Sequence, residues 1–385
     1  MKYDFLVLGA DGMQGRIVTR DLLESGFSVF AADLYKTKIQ KILARHNNER
    51  AVFSFVDLRD VEMAVKVIVK SGAEIVVNCA DMDWNVNVYK ACLETRTHCV
   101  DLGTWVEMTQ EQLAMDPLFK KIKRTAITGC GSAPGIGNVM LRYAAKKFDR
   151  LESVDVGFAW DSNKKQFVVP FSMKSILEEF TYNPRFIRNG RWVKKRPLEV
   201  FREQYHRAIG SQKSFLVYHP ELYTFYNYYR DQGLRNVRFF AGFPNHSLEK
   251  IYALIDLGFH SEKPFKIEGA SIAPIDFLGP ALKRLRMPPG YTERENLWVE
   301  ITGRKDRKQK TILMECIVPP LKGWEDAGSN IDTGFPASII AQLIKYRVIK
   351  RFGSFAPEAI VPEKPFFLEL RKKKLSVYEN GKKIN

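Results

Sequence analysis

The sequence predicts an α/β fold, a doubly wound parallel sheet joined to a second α+β domain. Two observations predict it: strand and helix patterns alternate in short units up to residue 131, and candidate strands lie farther apart beyond it. The chain has 385 residues, 45% of them hydrophobic, which is enough for two domains with cores of their own.

Apolar runs mark the strands of the first domain, because helices on both faces of a parallel sheet bury both sides of each strand. These runs are residues 3–10, 27–33, 51–57, 74–80, 98–103 and 125–131. Residues 15–25 and 61–73 between them have helical spacing, and Gly26 ends the first helix. Regular alternation of strand and helix predicts a parallel sheet with right-handed crossovers.

The second domain has partial alternation only. Its candidate strands are 153–160, 252–259 and 296–303, and helical stretches at 173–180 and 275–285 lie between them. The pattern predicts a mixed, largely antiparallel sheet with one open face. Because residues 336–350 are helical again, we predict that the first domain comprises 1–131 plus 333–385. The second domain, for substrate binding and dimerisation, is then 132–332.

Three glycines follow the first predicted strand and open the first predicted helix: Gly9, Gly12 and Gly15, with Asp11 and Met13 between them. Strand, glycine loop and helix together form the context of a dinucleotide site of the Rossmann type. Glycine permits the tight turn and lets phosphate approach the amides of the helix N-terminus. The spacing is GxxGxxG, one residue longer than the common fingerprint, and a tight turn without a ligand is the alternative.

Asp33 ends the second predicted strand, where a carboxylate accepts hydrogen bonds from the adenosine ribose and repels a 2′-phosphate. We therefore expect NAD, with NADP as the alternative because Lys36 and Lys38 offset the repulsion. Asp57, which ends the third strand, is interpreted either as an adenine contact or as a turn cap.

Two further segments are expected to line the cofactor. Cys79 and Ala80 end the fourth strand, and their small side chains leave room for the nicotinamide ribose. The glycine-rich segment 129–138, which includes Gly131, lies where the two domains meet. We interpret it both as a hinge and as a cofactor-lining loop.

Composition restricts the partners. Lys and Arg number 60 against 44 Asp and Glu, a net charge of +16, but no nucleic-acid-binding motif accompanies the basic stretches. No apolar run reaches the length of about 18 residues that a membrane span needs.

Five cysteines without a CxxC pair indicate reduced thiols and a cytoplasmic protein. Cys92, His98 and Cys99 are a weak metal signal, so no metal is predicted.

The chain resembles the saccharopine dehydrogenase family, which includes lysine 6-dehydrogenases and carboxynorspermidine dehydrogenases. The resemblance rests on five segments: 129–140, 172–199, 219–225, 254–282 and, the most specific, 333–375. It implies an enzyme that oxidises a carbon–nitrogen bond of an amino acid, or reduces the matching imine, with a nicotinamide cofactor. A homodimer is expected.

Such chemistry requires a proton acceptor near the amine and groups that hold a carboxylate. The resemblance suggests Asp101, Glu178 and His219 as catalytic residues, although Asp101 has a structural hydrogen-bonding role as its alternative. The candidates for substrate binding are Lys174, Tyr182, Arg238 and Thr333, of which Lys174 and Arg238 have a surface role as the alternative. Thr333 and Ser172 are the weakest of these candidates.

The resemblance leaves the substrate open. Lysine 6-dehydrogenase is the first expectation and saccharopine dehydrogenase the second, whereas the local signature of carboxynorspermidine dehydrogenases is not seen. The basic stretches support an alternative of another class, a catalytically idle nucleotide-binding module that senses redox state or binds nucleic acid.

Overall fold

The computed structural model describes residues 2–385 except 48, 104, 170, 171, 283 and 286. The strands of the first sheet are β1 (Phe5–Leu8), β2 (Val29–Asp33), β3 (Ala51–Phe55), β4 (Ile75–Asn78), β5 (His98–Asp101), β6 (Thr125–Ile127) and β17 (Gly353–Phe355). All of them run parallel, in the order β17-β6-β5-β4-β1-β2-β3. The order reverses between β1 and β4, which places a crevice at the carboxyl ends of these two strands.

The second sheet is mixed and mostly antiparallel, in the order β10-β11-β12-β7-β15-β16-β18-β19, with β8 on β12 and β9 on β8. Its strands are β7 (Arg150–Ser162), β8 (Arg185–Arg188), β9 (Arg191–Lys194), β10 (Phe201–His206), β11 (Gly210–Val217), β12 (Asn236–Gly242), β15 (Glu293–Lys305), β16 (Lys308–Val318), β18 (Ser376–Glu379) and β19 (Lys382–Lys383). A separate hairpin consists of β13 (Phe265–Ile267) and β14 (Ala270–Ile272).

Helices cover the first sheet and one face of the second. They are α1 (Met13–Glu24), α2 (Gln40–Leu43), α3 (Val61–Ser71), α4 (Asn85–Thr95), α5 (Val106–Ala114), α6 (Asp116–Lys121), α7 (Ile136–Ala145), α8 (Met173–Thr181), α9 (Glu221–Tyr229), α10 (Asn245–Asp256), α11 (Pro274–Leu282), α12 (Ile331–Lys345), α13 (Pro357–Ile360) and α14 (Glu363–Lys372). No helix in the described residues is both long and apolar enough to cross a membrane.

The apolar run of β1 shows why the first sheet is buried on both faces. Phe5 and Val7 pack into a core that continues into the second domain, whereas Leu6 and Leu8 pack into a second core on the opposite face. All four side chains have zero exposure. The doubly wound parallel sheet and the largely antiparallel second sheet are thus as predicted.

One predicted strand, 252–259, is wrong. Residues up to Asp256 belong to α10, and a turn follows. The apolar positions that pack on the core include Leu248, Ile251, Tyr252 and Ile255, a spacing of three and four residues that is helical. Partial alternation over a short run had concealed this period.

The C-terminal segment contributes to both sheets. β17 extends the first sheet beside β6, while β18 and β19 extend the second sheet beside β16. α12 packs on α1 of the first domain. The predicted division at residue 333 therefore assigns β18 and β19 to a different sheet from the one they join.

Candidate functional site

Loop 9–15 makes a tight turn at the carboxyl end of β1. Gly9 has φ = 68°, and a Cβ there would lie 2.4 Å from the backbone nitrogen of Ala80. A Cβ on Gly15 would lie 2.0 Å from the Gly9 carbonyl oxygen. Neither position has room for a side chain, so the close approach of β1, β4 and α1 requires both glycines.

The same loop fits the pyrophosphate of a dinucleotide. Gly12 is the N-cap of α1, with an extended backbone and no side chain to satisfy the first amides of the helix. Gly12 and Met13, the first helical residue, are both exposed. A helix N-terminus with amides in this state favours an anion, and the extra residue of the loop does not remove this feature.

Asp11 and Asp33 stabilise the loops that follow β1 and β2. The Asp11 carboxylate accepts hydrogen bonds from the amides of Thr37, Lys38 and Ile39 at 2.6–2.8 Å, so it holds the loop after β2. Asp33 accepts from the Asp11 amide at 2.8 Å and from the Tyr35 amide at 3.1 Å. Its half-buried carboxylate keeps lone pairs with which ribose hydroxyls can bond.

The other predicted cofactor residues differ in their surroundings. Asp57 forms an ion pair with Arg59 at 2.5 Å, and the hydrogen bonds from Arg59 lower the pKa of this carboxyl. Cys79 is buried, and Ala80 lies directly against Gly9 in the crevice between β1 and β4.

Loop 129–138 joins the two domains and is held by a hydrogen bond within the loop and by contacts with α12. Gly131 donates to the Pro134 carbonyl at 2.7 Å, and a Cβ on Gly131 would lie 3.0 Å from the Thr333 methyl group. Thr333, on α12, donates to the Ser132 hydroxyl at 3.2 Å. Thr333 therefore lies at the junction of the domains.

The Asp101 carboxylate accepts four hydrogen bonds from other residues of the chain. Its carboxylate accepts hydrogen bonds from the amides of Gly103 and Gly129, the Thr128 hydroxyl and the Gln112 amide, all at 2.6–3.0 Å. Burial raises the pKa of this carboxyl while these hydrogen bonds lower it, and burial is the larger influence. The geometry is that of a structural acceptor that holds the ends of β5 and β6 together.

Glu178 lies on α8 and is only 4% exposed. No described residue donates a hydrogen bond to its Oε2 atom. Burial raises its pKa to about 7, and the negative charges of Glu262, Asp83 and Asp81 add to the rise, while Lys174 opposes it. Burial likewise raises the pKa of the neighbouring Glu179 to about 8, with a contribution from Glu178.

These carboxylates form a group, which we call the acidic cleft: Asp81, Asp83, Glu178, Glu179 and Glu262. Asp81 and Asp83 follow Ala80 at the carboxyl end of β4, so the first domain contributes one side and α8 the other. The cleft therefore adjoins the crevice in which the sheet order reverses. Such a concentration of acids suits a cationic ligand.

Aromatic and charged contacts join the two domains beside the acidic cleft. The ring of Tyr182 lies 6.2 Å from that of Trp105, and its hydroxyl donates to Glu262. Glu107 accepts from the Tyr218 hydroxyl at 3.0 Å and lies 3.4 Å from Arg185. Tyr182, a predicted substrate residue, is therefore in the same group as Glu178.

His219 forms a pair with a fully buried carboxylate. Its Nδ1 atom hydrogen-bonds to Glu221, which has zero exposure, and its ring stacks on Phe239 at 4.0 Å. The carboxylate orients the imidazole, which is half-buried. Among the described residues, no hydrogen bond or ion pair links His219 with the acidic cleft, and its catalytic role stays a prediction.

The remaining predicted substrate residues do not all meet. Lys174 is exposed on α8, one helical turn before Glu178, and Ser172 caps that helix through the Ser175 amide at 3.4 Å. Arg238 makes two hydrogen bonds to Asp155, at 2.6 and 2.7 Å. These hydrogen bonds mean that a carboxylate already occupies its guanidinium. Arg238 also lies on the face of the second sheet opposite to that of its neighbour Phe239.

Four members of the acidic cleft were not predicted from the sequence: Asp81, Asp83, Glu179 and Glu262. Asp81 and Asp83 carried a usable signal, because they directly follow the strand end at which Cys79 and Ala80 were selected. Glu262 had none, since the fold alone brings the segment after α10 to Tyr182.

Comparisons with known proteins agree with this architecture. The family model described as the saccharopine dehydrogenase NADP binding domain matches residues 5–127, and that described as the saccharopine dehydrogenase C-terminal domain matches 131–375. The chain is 25% identical to a carboxyaminopropylagmatine dehydrogenase from Synechocystis sp. over 379 residues, which covers 95% of this chain and 94% of that protein. It matches the fold of apo saccharopine dehydrogenase (L-Glu forming) from Saccharomyces cerevisiae over the whole of both chains, with a TM-score of 0.75 and 15% identity.

Proposed function

This chain belongs to the saccharopine dehydrogenase family, and we propose that it is an oxidoreductase acting on the C–N bond of an amino acid that carries a cationic arm. The family matches indicate a nicotinamide cofactor and support an oxidoreductase. The acidic cleft supports the proposed substrate class, because it adjoins the cofactor crevice and contains a carboxyl with a pKa of about 7.

Different residues bind the cofactor and accept the proton. Loop 9–15 binds the pyrophosphate and Asp33 the adenosine ribose, and we favour NAD over NADP on the strength of Asp33. The cofactor accepts or supplies the hydride when it is bound. Glu178 accepts the proton that the amine must lose before oxidation, because its pKa lies close to neutrality and its Oε2 atom is free of hydrogen bonds from described residues.

The acidic cleft favours some substrates over others. The relative's name denotes an agmatine with a carboxyaminopropyl group, a molecule that combines an amino acid, a secondary amine and a guanidinium. Asp81, Asp83 and Glu262 would bind such a cation. Lysine, which the family resemblance favours, also offers a cation and is the second candidate. Saccharopine carries additional carboxylates, which this cleft would repel.

An absorbance assay of the reduced nicotinamide tests the proposal. Purified protein is incubated with NAD or NADP and with carboxyaminopropylagmatine, lysine or saccharopine. We expect turnover of a substrate with a cationic arm and little with saccharopine. Asp83→Asn should raise KM for the cationic substrate about tenfold with kcat nearly unchanged, because a charge contact common to ground state and transition state is lost.

The exposed Asp256, on α10, provides a matched control, and Asp256→Asn should leave KM unchanged. Equal KM values for all three substrates would contradict the role of the acidic cleft. Binding of the cofactor without turnover of any amine would contradict the enzyme proposal itself and favour a nucleotide-binding sensor.

A further inference from the structure

A cavity of about 550 Å³ opens at the amino ends of β4 and β5; we call it the basic cavity. Ile75, the first residue of β4, and His98, the first of β5, line it together with the end of α12 and the segment that follows. Its volume falls within the range of about 300–1,000 Å³ that is usual for small-molecule sites. The cofactor crevice lies at the opposite, carboxyl end of β4, about 10 Å along the strand, so the two are distinct.

Three cations that line the basic cavity have no carboxylate partner. None of the ion pairs between described residues includes Arg124, Arg347 or Lys350. Arg124 is half-buried and donates to the carbonyl oxygens of Arg96 and Lys123, at 2.5 and 3.0 Å. Arg347 and Lys350 are exposed, and no described residue accepts a hydrogen bond from either side chain. Both therefore keep their donors for a ligand.

The acids beside the basic cavity are already offset by lysines. Glu74, which lines the cavity, pairs with Lys2 at 2.6 Å. That hydrogen bond lowers the pKa of Glu74, and the charges of Lys345 and Arg124 lower it further. Asp4 pairs with Lys345 at 2.8 Å. The cations without a partner therefore leave the cavity with a surplus of positive charge, which favours a ligand with more than one negative charge.

His98 and Phe352 add a neutral donor and an apolar surface. The Nδ1 atom of His98 accepts from the Thr125 amide at 3.0 Å, so the proton of the neutral imidazole lies on Nε2. Burial and the charge of Arg124 lower the pKa of His98 to about 4, so the ring stays neutral near pH 7. Phe352 lines the cavity and is 43% exposed. Its ring gives an apolar group of a ligand a surface to pack against.

We propose that the basic cavity is a second ligand site, for a small phosphate monoester with an aromatic or apolar group, its phosphate at Arg347 and Lys350 and its apolar group against Phe352. A phosphate monoester suits the site better than a carboxylate, because it carries about two negative charges near pH 7 and three acceptor oxygens. The site does not depend on the chemistry proposed for the acidic cleft.

Isothermal titration calorimetry on the full chain with saturating NAD, which keeps the cofactor crevice occupied, tests the site. The probes are phenyl phosphate, inorganic phosphate and benzoate. We expect phenyl phosphate to bind tightest, inorganic phosphate about tenfold more weakly because it lacks the ring, and benzoate weakest because it has one charge. Added salt should weaken the binding of phenyl phosphate, because the cations that hold it are exposed.

Substitution of the two exposed cations locates the probe. Arg347→Gly should weaken binding of phenyl phosphate about tenfold, and Arg347→Gly with Lys350→Gln about 100-fold, because each change removes one charged donor. Arg347 has φ = 55°, a conformation that glycine adopts without strain, so its loss should not unfold the protein. Arg307→Gly is the matched control, since Arg307 is also exposed, has φ = 63° and lies between β15 and β16, outside the cavity.

Three outcomes would overturn the proposal. Unchanged binding in the double variant would place phenyl phosphate elsewhere, and equal weakening in Arg307→Gly would indicate general attraction to a basic surface. Failure of phenyl phosphate to bind, or binding of benzoate with equal affinity, would show that the cavity does not recognise a phosphate monoester. None of these outcomes bears on turnover of an amine, so the proposed function and the second site are tested separately.

Discussion

Asp101 and Glu178 are both almost completely buried, 1% and 4% exposed, yet their surroundings are opposite. Asp101 accepts four hydrogen bonds from the loops around it. Glu178 has an oxygen without a donor among the described residues and faces other carboxylates. Burial alone therefore does not identify a reactive carboxylate. The number of donors that the chain supplies separates a carboxylate that holds structure from one left available to a substrate.

The largest expected effect is on stability. Asp101→Ala leaves two amides, a hydroxyl and the Gln112 side chain without their acceptor, so we expect the free energy of unfolding to fall by about 3–5 kcal/mol. Glu178→Gln removes a charge that faces other carboxylates and that Lys174 offsets only in part, so it should change this free energy by less than about 1 kcal/mol. Urea denaturation of both variants measures the difference. Equal losses would contradict the distinction between the two carboxylates.

The second effect concerns pH. The folded-state pKa of Glu178, about 7, lies above its ordinary value of 4.5, so between these values the folded protein binds more protons than the unfolded chain. The unfolding free energy contributed by this group therefore falls as pH rises from 4.5 to about 7. For oxidation of the amine, kcat/KM should rise through about pH 7 as the carboxylate ionises.

Glu178→Gln should lose this rise and lower kcat about 10²-fold or more, as expected when a general base is removed. A pH–rate profile of the variant beside the unaltered protein provides the measurement. If the rise near pH 7 persists in Glu178→Gln, another group, such as Glu179 or His219, is the proton acceptor.

Asp33 accepts fewer hydrogen bonds from the chain than Asp101 and more than the Oε2 atom of Glu178. It accepts them from two backbone amides and keeps lone pairs for the ribose hydroxyls. Asp33→Ser removes the charge that repels a 2′-phosphate, and we expect the ratio of kcat/KM for NADP to that for NAD to rise about tenfold or more. Lys36 and Lys38 remain as partners for the phosphate. An unchanged ratio would show that Asp33 does not select the cofactor.

The smallest change in activity is expected at a cation, Arg238. Arg238 is occupied by Asp155, which Arg202 also contacts at 2.5 Å. Arg238→Gln should therefore change kcat/KM by less than about threefold and cost about 1 kcal/mol of stability. Steady-state kinetics with thermal denaturation provide the check. A rise in KM of tenfold or more would restore Arg238 as a substrate anchor.

Local features of the fold were predictable from the sequence. The apolar runs and loop 9–15 each lie within one continuous segment, so their periods and glycines indicate the first sheet directly. Strand β17 was not predicted, because Gly353, Ser354 and Phe355 are too few to show a period. The acidic cleft was predicted only in part, since Glu178 and Tyr182 adjoin Asp81 and Glu262 through tertiary packing alone.

Because the C-terminal segment supplies a strand to each sheet, both sheets stay incomplete until late in translation. During translation, the edge of β6 stays without its neighbour until Phe355 has left the ribosome, and β16 stays without β18, for a shorter interval, until Ser376 has followed. At about 5–20 residues per second, the roughly 225 residues between β6 and β17 take some 10–45 seconds to make. An unpaired strand edge invites aggregation for that interval. A premature stop near residue 350 would therefore yield a sticky, unfinished nucleotide-binding domain rather than a stable fragment.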